Sequence, residues 1–155
     1  MPNTPMPALS PKPILHVYAW IGGLVLGRAS PADLPGYSLK EAFLLFASAL
    51  VLTFLWASHV SGLGAGHALL WVFVDPLAAG LALCVILLYK GLSNRIAQMI
   101  AGLAFLSLGI VLIKALLSFA AGSVMDAQIL LLSYLILDIA YLVGLVRLAQ
   151  RSGCF

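Results

Sequence analysis

Four long apolar runs, each able to cross a lipid bilayer as a helix, constrain this chain more than any other feature. About 20 consecutive apolar residues span the roughly 30 Å hydrocarbon core of a membrane. Only 8% of the 155 residues are charged, against about 25% in soluble domains, so the solvent for most of the chain is expected to be lipid. The sequence predicts an all-α integral membrane bundle of four transmembrane helices within residues 29–150. The predicted helices occupy 42–59, 67–89, 96–120 and 127–146.

Two further segments precede these runs. Residues 1–13 contain five prolines, which block helix and strand pairing, so a disordered Pro-rich cytoplasmic tail is predicted. The apolar run 14–27 has fourteen residues and would span only about 21 Å as a helix. Its larger apolar residues recur at helical spacing and Arg28 ends it. We therefore predict a short interfacial amphipathic helix over 14–28.

A secretory signal peptide is the alternative interpretation of this run. Its length suits one, and Gly27-Arg28-Ala29 has the small-x-small pattern of a cleavage site. Cleavage there would place the new N-terminus outside the cell and reverse every later crossing. The distribution of basic residues therefore decides between the two interpretations.

Lysine and arginine lie almost entirely on one side of the predicted membrane. With four crossings, the N-terminal segment, the turn 90–95 and the tail 151–155 share a side, and the other two connections contain no lysine or arginine. Such an excess marks the cytoplasmic side, so both termini are predicted to be cytoplasmic and cleavage is disfavoured. The basic residues of the shared side are Lys12, Arg28, Lys40, Lys90, Arg95, Arg147 and Arg151.

Ser38-Leu39-Lys40-Glu41 matches a capping box. In this motif the serine hydroxyl accepts from the Glu41 amide and the glutamate accepts from the Ser38 amide. The pattern predicts that the first membrane helix begins here.

The two cysteines give no metal or redox motif. Cys84 lies inside an apolar run and Cys154 is the penultimate residue, so a bond between them has no geometric support. We predict that Cys84 is a small buried apolar residue and that Cys154 is a free thiol in the tail.

Three charged residues fall inside the predicted membrane helices: Asp75, Lys114 and Asp138. A charge there costs about 2.5–3.5 kcal/mol on insertion scales, so each is expected to have a partner or a function. Asp75 is predicted roughly 12 Å and Lys114 roughly 9 Å below the outer end of their helices, and Asp138 near the midplane. Tyr134 and Tyr141 share a helical face with Asp138. Lys114 is thus predicted to approach either carboxylate, with the polar faces turned toward the bundle interior.

This predicted polar cluster has three interpretations. It is an ion pair that fixes helix register, a proton or ion relay through the bundle, or a contact to a partner protein. Pro76 is predicted to kink its helix, because it leaves the carbonyl of Val72 without its usual donor beside Asp75.

His59 and His67 fall near the outer boundary on adjacent predicted helices. A haem or metal site between them is a weak candidate, since haem ligands usually lie within a bundle and these lie beside a loop. Interfacial histidines without a ligand are the alternative, and no cofactor or metal is predicted.

Two short motifs carry a resemblance to a known group. Arg28-Ala-Ser-Pro-Ala-Asp33-Leu-Pro35 follows the predicted interfacial helix, and Gly91-x-x-Asn94-Arg95-x-x-Gln98 opens the third membrane helix. Together they resemble a group of short proteobacterial inner-membrane proteins, loosely similar to Yip1-type membrane domains. The resemblance implies a bacterial inner-membrane location and a helical bundle, and it implies no activity.

With only short connections between helices, no soluble domain is available to hold an active site. We therefore expect a non-enzymatic component or assembly factor of an inner-membrane complex, whose partners are the lipid bilayer and other membrane proteins or a second copy. A small transporter or ion-conducting subunit is the first alternative, and a haem-bearing electron-transfer subunit the second. The formal net charge of +3 is small and scattered, which argues against nucleic-acid binding.

Overall fold

The computed structural model describes residues 13–30, 33–34, 36–60, 65–124 and 127–155. Within these ranges it describes the backbone alone for 13–18, 59–60, 65–75, 121–124 and 127, and both backbone and side chains for the rest. A single 3-10 turn, Ser93–Arg95, precedes the fourth helix, and the described residues include no strand. The fold is therefore an all-α bundle, as predicted. The five helices are α1 (Pro13–Val25), α2 (Leu39–Val60), α3 (Ala65–Tyr89), α4 (Ile96–Val124) and α5 (Ala127–Ser152).

Three stretches of the described residues are long and apolar enough to cross a membrane: Leu39–Ser58, Ser93–Ala120 and Gln128–Ser152. These apolar helices are those of a membrane protein. The α3 helix has 25 residues, but only its shorter apolar part, Pro76–Tyr89, lies where side chains are described. The predicted count of four crossings stays a prediction on this helix.

The α4 helix forms the centre of the bundle. More than half of its apolar stretch is buried (56%), because α2 packs along it and α5, α3 and α1 also contact it. Small residues allow this close approach: a Cβ at Gly102 would lie 2.7 Å from Leu148 Cδ1, and one at Gly144 would lie 2.8 Å from Leu106 Cδ1. The fully buried larger side chains are Leu24, Leu87, Met99, Leu103, Leu106, Leu148 and Ser152.

The α1 helix packs against α5 and α4, at the end of the bundle where α4 begins and α5 ends. Trp20, Ile21 and Leu24 are buried in the main core. The Trp20 indole N–H donates to the carbonyl oxygen of Ser30 at 2.9 Å, which fixes the chain as it leaves the helix. The interfacial location of α1 stays a prediction. The packing of α1 onto the bundle is a finding that the sequence did not indicate.

The helix ends have clear local causes. The capping box at the start of α2 is confirmed: the Ser38 amide donates to Glu41 Oε2 at 2.8 Å, and the Glu41 amide donates to Ser38 Oγ at 3.3 Å. After α1, Gly27 has a φ of 74°, a left-handed conformation that glycine adopts without steric cost. The Arg28 amide then donates to the carbonyl of Gly23, which completes a Schellman motif and ends the helix.

The C-terminal residues differ from the predicted free tail. The α5 helix continues past the predicted end at 146 as far as Ser152, and its last turn is compatible with Arg151, since cations are favourable at a helix C-terminus. Gly153, with a φ of 91°, then turns the chain so that the Cys154 amide donates to the carbonyl of Ala149. Cys154 is consequently buried in the core rather than free in solution, although both cysteines are unbonded as predicted.

This burial gives a testable prediction for Cys154. Burial raises the pKa of the Cys154 thiol, and the nearby Lys90 ammonium lowers it by less. The thiol is thus protonated and shielded near neutral pH, so a water-soluble maleimide is expected to label it roughly tenfold more slowly in the folded protein than after denaturation. The rate is measured in a Cys84→Ala variant, in which Cys154 is the remaining thiol. Equal rates before and after denaturation would contradict the burial.

Candidate functional site: an intramembrane polar cluster

An ion pair joins α4 and α5 inside the apolar part of the bundle. The Lys114 ammonium donates to Oδ1 of Asp138. Lys114 is on a long apolar helix and Asp138 lies eleven residues into α5, which corresponds to a depth of roughly 16 Å from the start of that helix. In the described part of the chain this is the single salt bridge. The structure therefore brings together the lysine and one of the two carboxylates that the sequence offered as its partners.

Two aromatic rings complete the surroundings of the lysine. Its Nζ lies 5.5 Å from the centroid of the Trp56 ring and 5.8 Å from that of Tyr134. The two rings contact each other edge to face, with centroids 5.8 Å apart and an interplanar angle of 82°. A cation within about 6 Å of an aromatic face is attracted to the ring, and the attraction is stronger when water is excluded. Lys114 is thus held by one residue of α2 and two of α5.

A pair of hydroxyl groups lies beside the ion pair, toward the C-terminal end of α4. The Ser118 hydroxyl donates to the carbonyl oxygen of Lys114 at 2.8 Å, and it is also hydrogen-bonded to the Tyr134 hydroxyl. The Tyr134 hydroxyl also donates to the carbonyl oxygen of Lys114, at 3.5 Å, so both hydroxyls converge on that carbonyl. Tyr134 therefore both covers the lysine with its ring and links α5 to α4 through its hydroxyl.

The two partners of the ion pair differ in exposure. The Lys114 side chain is only 12% exposed, whereas the Asp138 side chain is 57% exposed. Asp138 lies at the edge of the packed face of α5, next to the exposed side chains of Leu135 and Leu142 on the same helical face. The expectation that both polar faces turn inward thus holds for the lysine and fails for the aspartate. The physical reason is that Lys114 has a long stem and reaches the carboxylate from inside the bundle.

We name Trp56, Lys114, Ser118, Tyr134 and Asp138 the polar cluster. Trp56 is a member that the sequence did not indicate, because its position near the end of α2 is also typical of an interfacial anchor. Trp56 lies four residues before the end of α2 at Val60, roughly 6 Å, and Lys114 lies ten residues before the end of α4 at Val124, roughly 15 Å. Distance from the helix ends therefore did not indicate their contact.

The other predicted residues lie elsewhere or outside the description. Tyr141 packs against the main core one turn further along α5. Pro76 lies inside the continuous helix α3. The side chains of Asp75, His59 and His67 lie outside the described residues, so the predictions for them stay predictions. Where side chains are described, no group of three or more His, Cys, Asp or Glu residues is placed to hold a metal ion.

Comparisons with protein-family models, with curated proteins and with solved structures give no match. The resemblance to short proteobacterial inner-membrane proteins stays a prediction.

At the centre of the polar cluster, Lys114 and Asp138 form an ion pair with no net charge, and the aspartate is exposed on one side. One oxygen of the Asp138 carboxylate accepts from Lys114, and most of the side chain faces outward, where an apolar helix would meet lipid. A carboxylate exposed to hydrocarbon costs free energy unless a further donor satisfies it. The exposed face of α5 at Asp138 therefore carries a carboxylate that a further hydrogen-bond donor would stabilise.

Proposed function

We propose that this chain is a non-enzymatic component of a bacterial inner-membrane complex, and that it binds a transmembrane helix of another membrane protein through the exposed face of α5. The observation that carries the proposal is the 57% exposure of Asp138 at a depth where lipid offers no hydrogen-bond donor. A partner helix with a hydroxyl, amide or basic side chain at that depth would satisfy the carboxylate. Polar contacts of this kind associate helices inside membranes.

The packing of α5 supports this surface. Only 6% of its apolar stretch is buried inside the bundle, against 56% for α4. The exposed apolar side chains around Asp138 include Leu131, Leu135 and Leu142. An apolar face with one central polar group allows a partner to pack by shape and to be oriented by the carboxylate.

The proposed topology has four crossings with both termini in the cytoplasm. It is supported by the length of α3, which has 25 residues, and by the absence of lysine and arginine from the two connections assigned to the outer side. Reporter fusions after residue 62 and after residue 155 test it. We expect an external signal from the first and a cytoplasmic signal from the second.

Site-specific cross-linking in native membranes tests the partner. A photoreactive amino acid at Leu135, on the Asp138 face, is expected to give a discrete protein adduct, because this side chain is 56% exposed. The matched control is the same group at Leu88 of α3, which is 59% exposed and lies on another helix. Adducts with lipid alone at both positions would overturn the proposal. An adduct of twice the chain mass would show that the partner is a second copy of this chain rather than another membrane protein.

A second variant separates partner binding from folding. Replacing Lys114 and Asp138 together with leucine leaves a neutral, apolar α4–α5 contact. We expect this double variant to remain folded. The yield of the Leu135 adduct is expected to fall roughly tenfold, since the polar group that orients the partner is gone. An unchanged adduct yield in a folded double variant would remove Asp138 from the interface.

One observation favours a second candidate, a proton- or ion-conducting subunit. The Ser118–Tyr134 hydrogen bond and the Lys114–Asp138 ion pair are adjacent at the α4–α5 contact and form a short polar path. Reconstituted vesicles with an internal pH-sensitive dye test this function. A proton flux that disappears in Lys114→Leu would favour conduction over the assembly role, and no flux above empty vesicles would exclude it.

A further inference from the structure

Two arginine side chains, Arg147 and Arg151, lie beside Gly27 at the C-terminal end of α1, and a third arginine follows Gly27 in the chain. The Arg147 guanidinium lies beside Gly27: a Cβ at that glycine would be 3.5 Å from Arg147 Cζ and 3.7 Å from its Nη1. Arg151 donates from Nη2 to the carbonyl oxygen of Gly27 at 2.8 Å. Arg28 is the next residue along the chain, and all three arginines are exposed. We name Arg28, Arg147 and Arg151 the arginine cluster.

No described side chain neutralises the positive charge of the arginine cluster. Among the residues whose side chains are described, no carboxylate lies within ion-pair distance of any of the three. The carboxylate of Asp33, in the loop after α1, instead accepts from the Ser30 amide at 2.6 Å. The C-terminal end of α1 contributes only a partial negative charge. Arg147 and Arg151 are four residues apart on one helix, where like charges repel.

The surface next to the arginine cluster is apolar. Leu26 is 69% exposed and Val146 is 52% exposed. Leu26 directly precedes Gly27 and Val146 directly precedes Arg147, and these two following residues lie side by side. The cluster thus lies where an exposed apolar helix surface ends and a charged surface begins. A ligand that matches both parts has a negative headgroup and a hydrocarbon tail.

We propose that the arginine cluster binds the headgroup phosphate of an anionic phospholipid. Guanidinium groups are suited to this ligand, because their planar N–H donors pair with two phosphate oxygens at once. Basic pockets at the ends of transmembrane helices recognise anionic headgroups in this manner. The lipid tail lies along Leu26 and Val146, and its phosphate offsets the repulsion between Arg147 and Arg151.

Lipid binding is measured with the purified full chain in nanodiscs of phosphatidylcholine with or without phosphatidylglycerol. The test variant is Arg28→Gln with Arg147→Gln, which retains the Arg151 hydrogen bond that closes α1 onto α5. The control is Lys40→Gln with Lys90→Gln, which removes the same charge from two exposed residues outside the arginine cluster. We expect apparent affinity for phosphatidylglycerol to fall about fivefold for each arginine removed, and to change little in the control.

Each remaining outcome decides against the site. Equal losses in the test and control variants would show general surface attraction and overturn the proposal. A test variant that binds phosphatidylglycerol like the wild type would overturn it as well. If millimolar inorganic phosphate in phosphatidylcholine nanodiscs raises the thermal midpoint as much as phosphatidylglycerol does, the ligand is free phosphate and the assignment to lipid fails. Circular dichroism of all variants confirms that the helices remain folded in each comparison.

Discussion

Replacing Lys114 with leucine is expected to lower the free energy of unfolding by about 2 kcal/mol, and replacing Lys114 and Asp138 together is expected to restore most of that loss. The single change leaves Asp138 without its ion-pair partner at a depth where no water satisfies it. It also removes the cation from the rings of Trp56 and Tyr134. The double change removes the unpaired charge, so apolar side chains meet at the α4–α5 contact.

Reversible unfolding in mixed micelles measures both free energies, and Asp138→Leu completes the double-mutant cycle. A coupling energy near zero would show that the contact between Lys114 and Asp138 adds nothing to the free energy of unfolding beyond the separate effects of the two side chains. The cycle also tests the other carboxylate that the sequence placed near this depth. If Asp75 were the main partner of Lys114, the double leucine variant would stay as unstable as Lys114→Leu.

The helical architecture was predictable from the sequence because the signals for it are local. The length of an apolar run predicts a membrane helix, and the observed helices begin and end within a few residues of the predicted ones at most boundaries. The capping box at Ser38 and Glu41 also acts within one turn and is confirmed by both of its backbone hydrogen bonds. Such features need no knowledge of which helix packs against which.

The side-by-side arrangement of the helices was not predictable for the opposite reason. A membrane helix is apolar on all sides, so its sequence does not mark the face that packs against protein. The apolar stretches of α4 and α5 have the same mean hydropathy, yet 56% of one is buried and 6% of the other. The exposure of Asp138, the contact of Trp56 with Lys114 and the burial of Cys154 all depend on this arrangement.

The α1 segment shows the same limit. Its length and its terminal arginine predicted a helix, and a helix is present over Pro13–Val25. Its burial against α4 and α5 depends on Gly102, where the absence of a side chain admits both Trp20 and Leu148. A lone glycine inside an apolar run gives no indication of which partners approach it.

Gly102 is accordingly a position where a substitution is expected to have a large effect on stability. A Cβ there would lie 2.7 Å from Leu148 Cδ1 and 3.3 Å from Trp20 Cη2, so a leucine displaces both α5 and α1 from the central helix. We expect Gly102→Leu to lower the free energy of unfolding by about 3 kcal/mol, at the upper end of the usual cost of overpacking. Gly22→Leu is the matched control, since a Cβ at Gly22 meets no atom within 4 Å.

The same unfolding measurement in a Leu148→Ala background identifies the cause of the loss. Leu148 supplies the nearest atom to position 102, and its truncation vacates the space that the new side chain needs. The cost of Gly102→Leu is therefore expected to fall by at least about 1 kcal/mol in that background, because the two sites are in contact and their effects are not additive. Additive losses would show that the clash with Leu148 is not what separates the helices, and Trp20 would then be the side chain that limits the approach of α1 to α4.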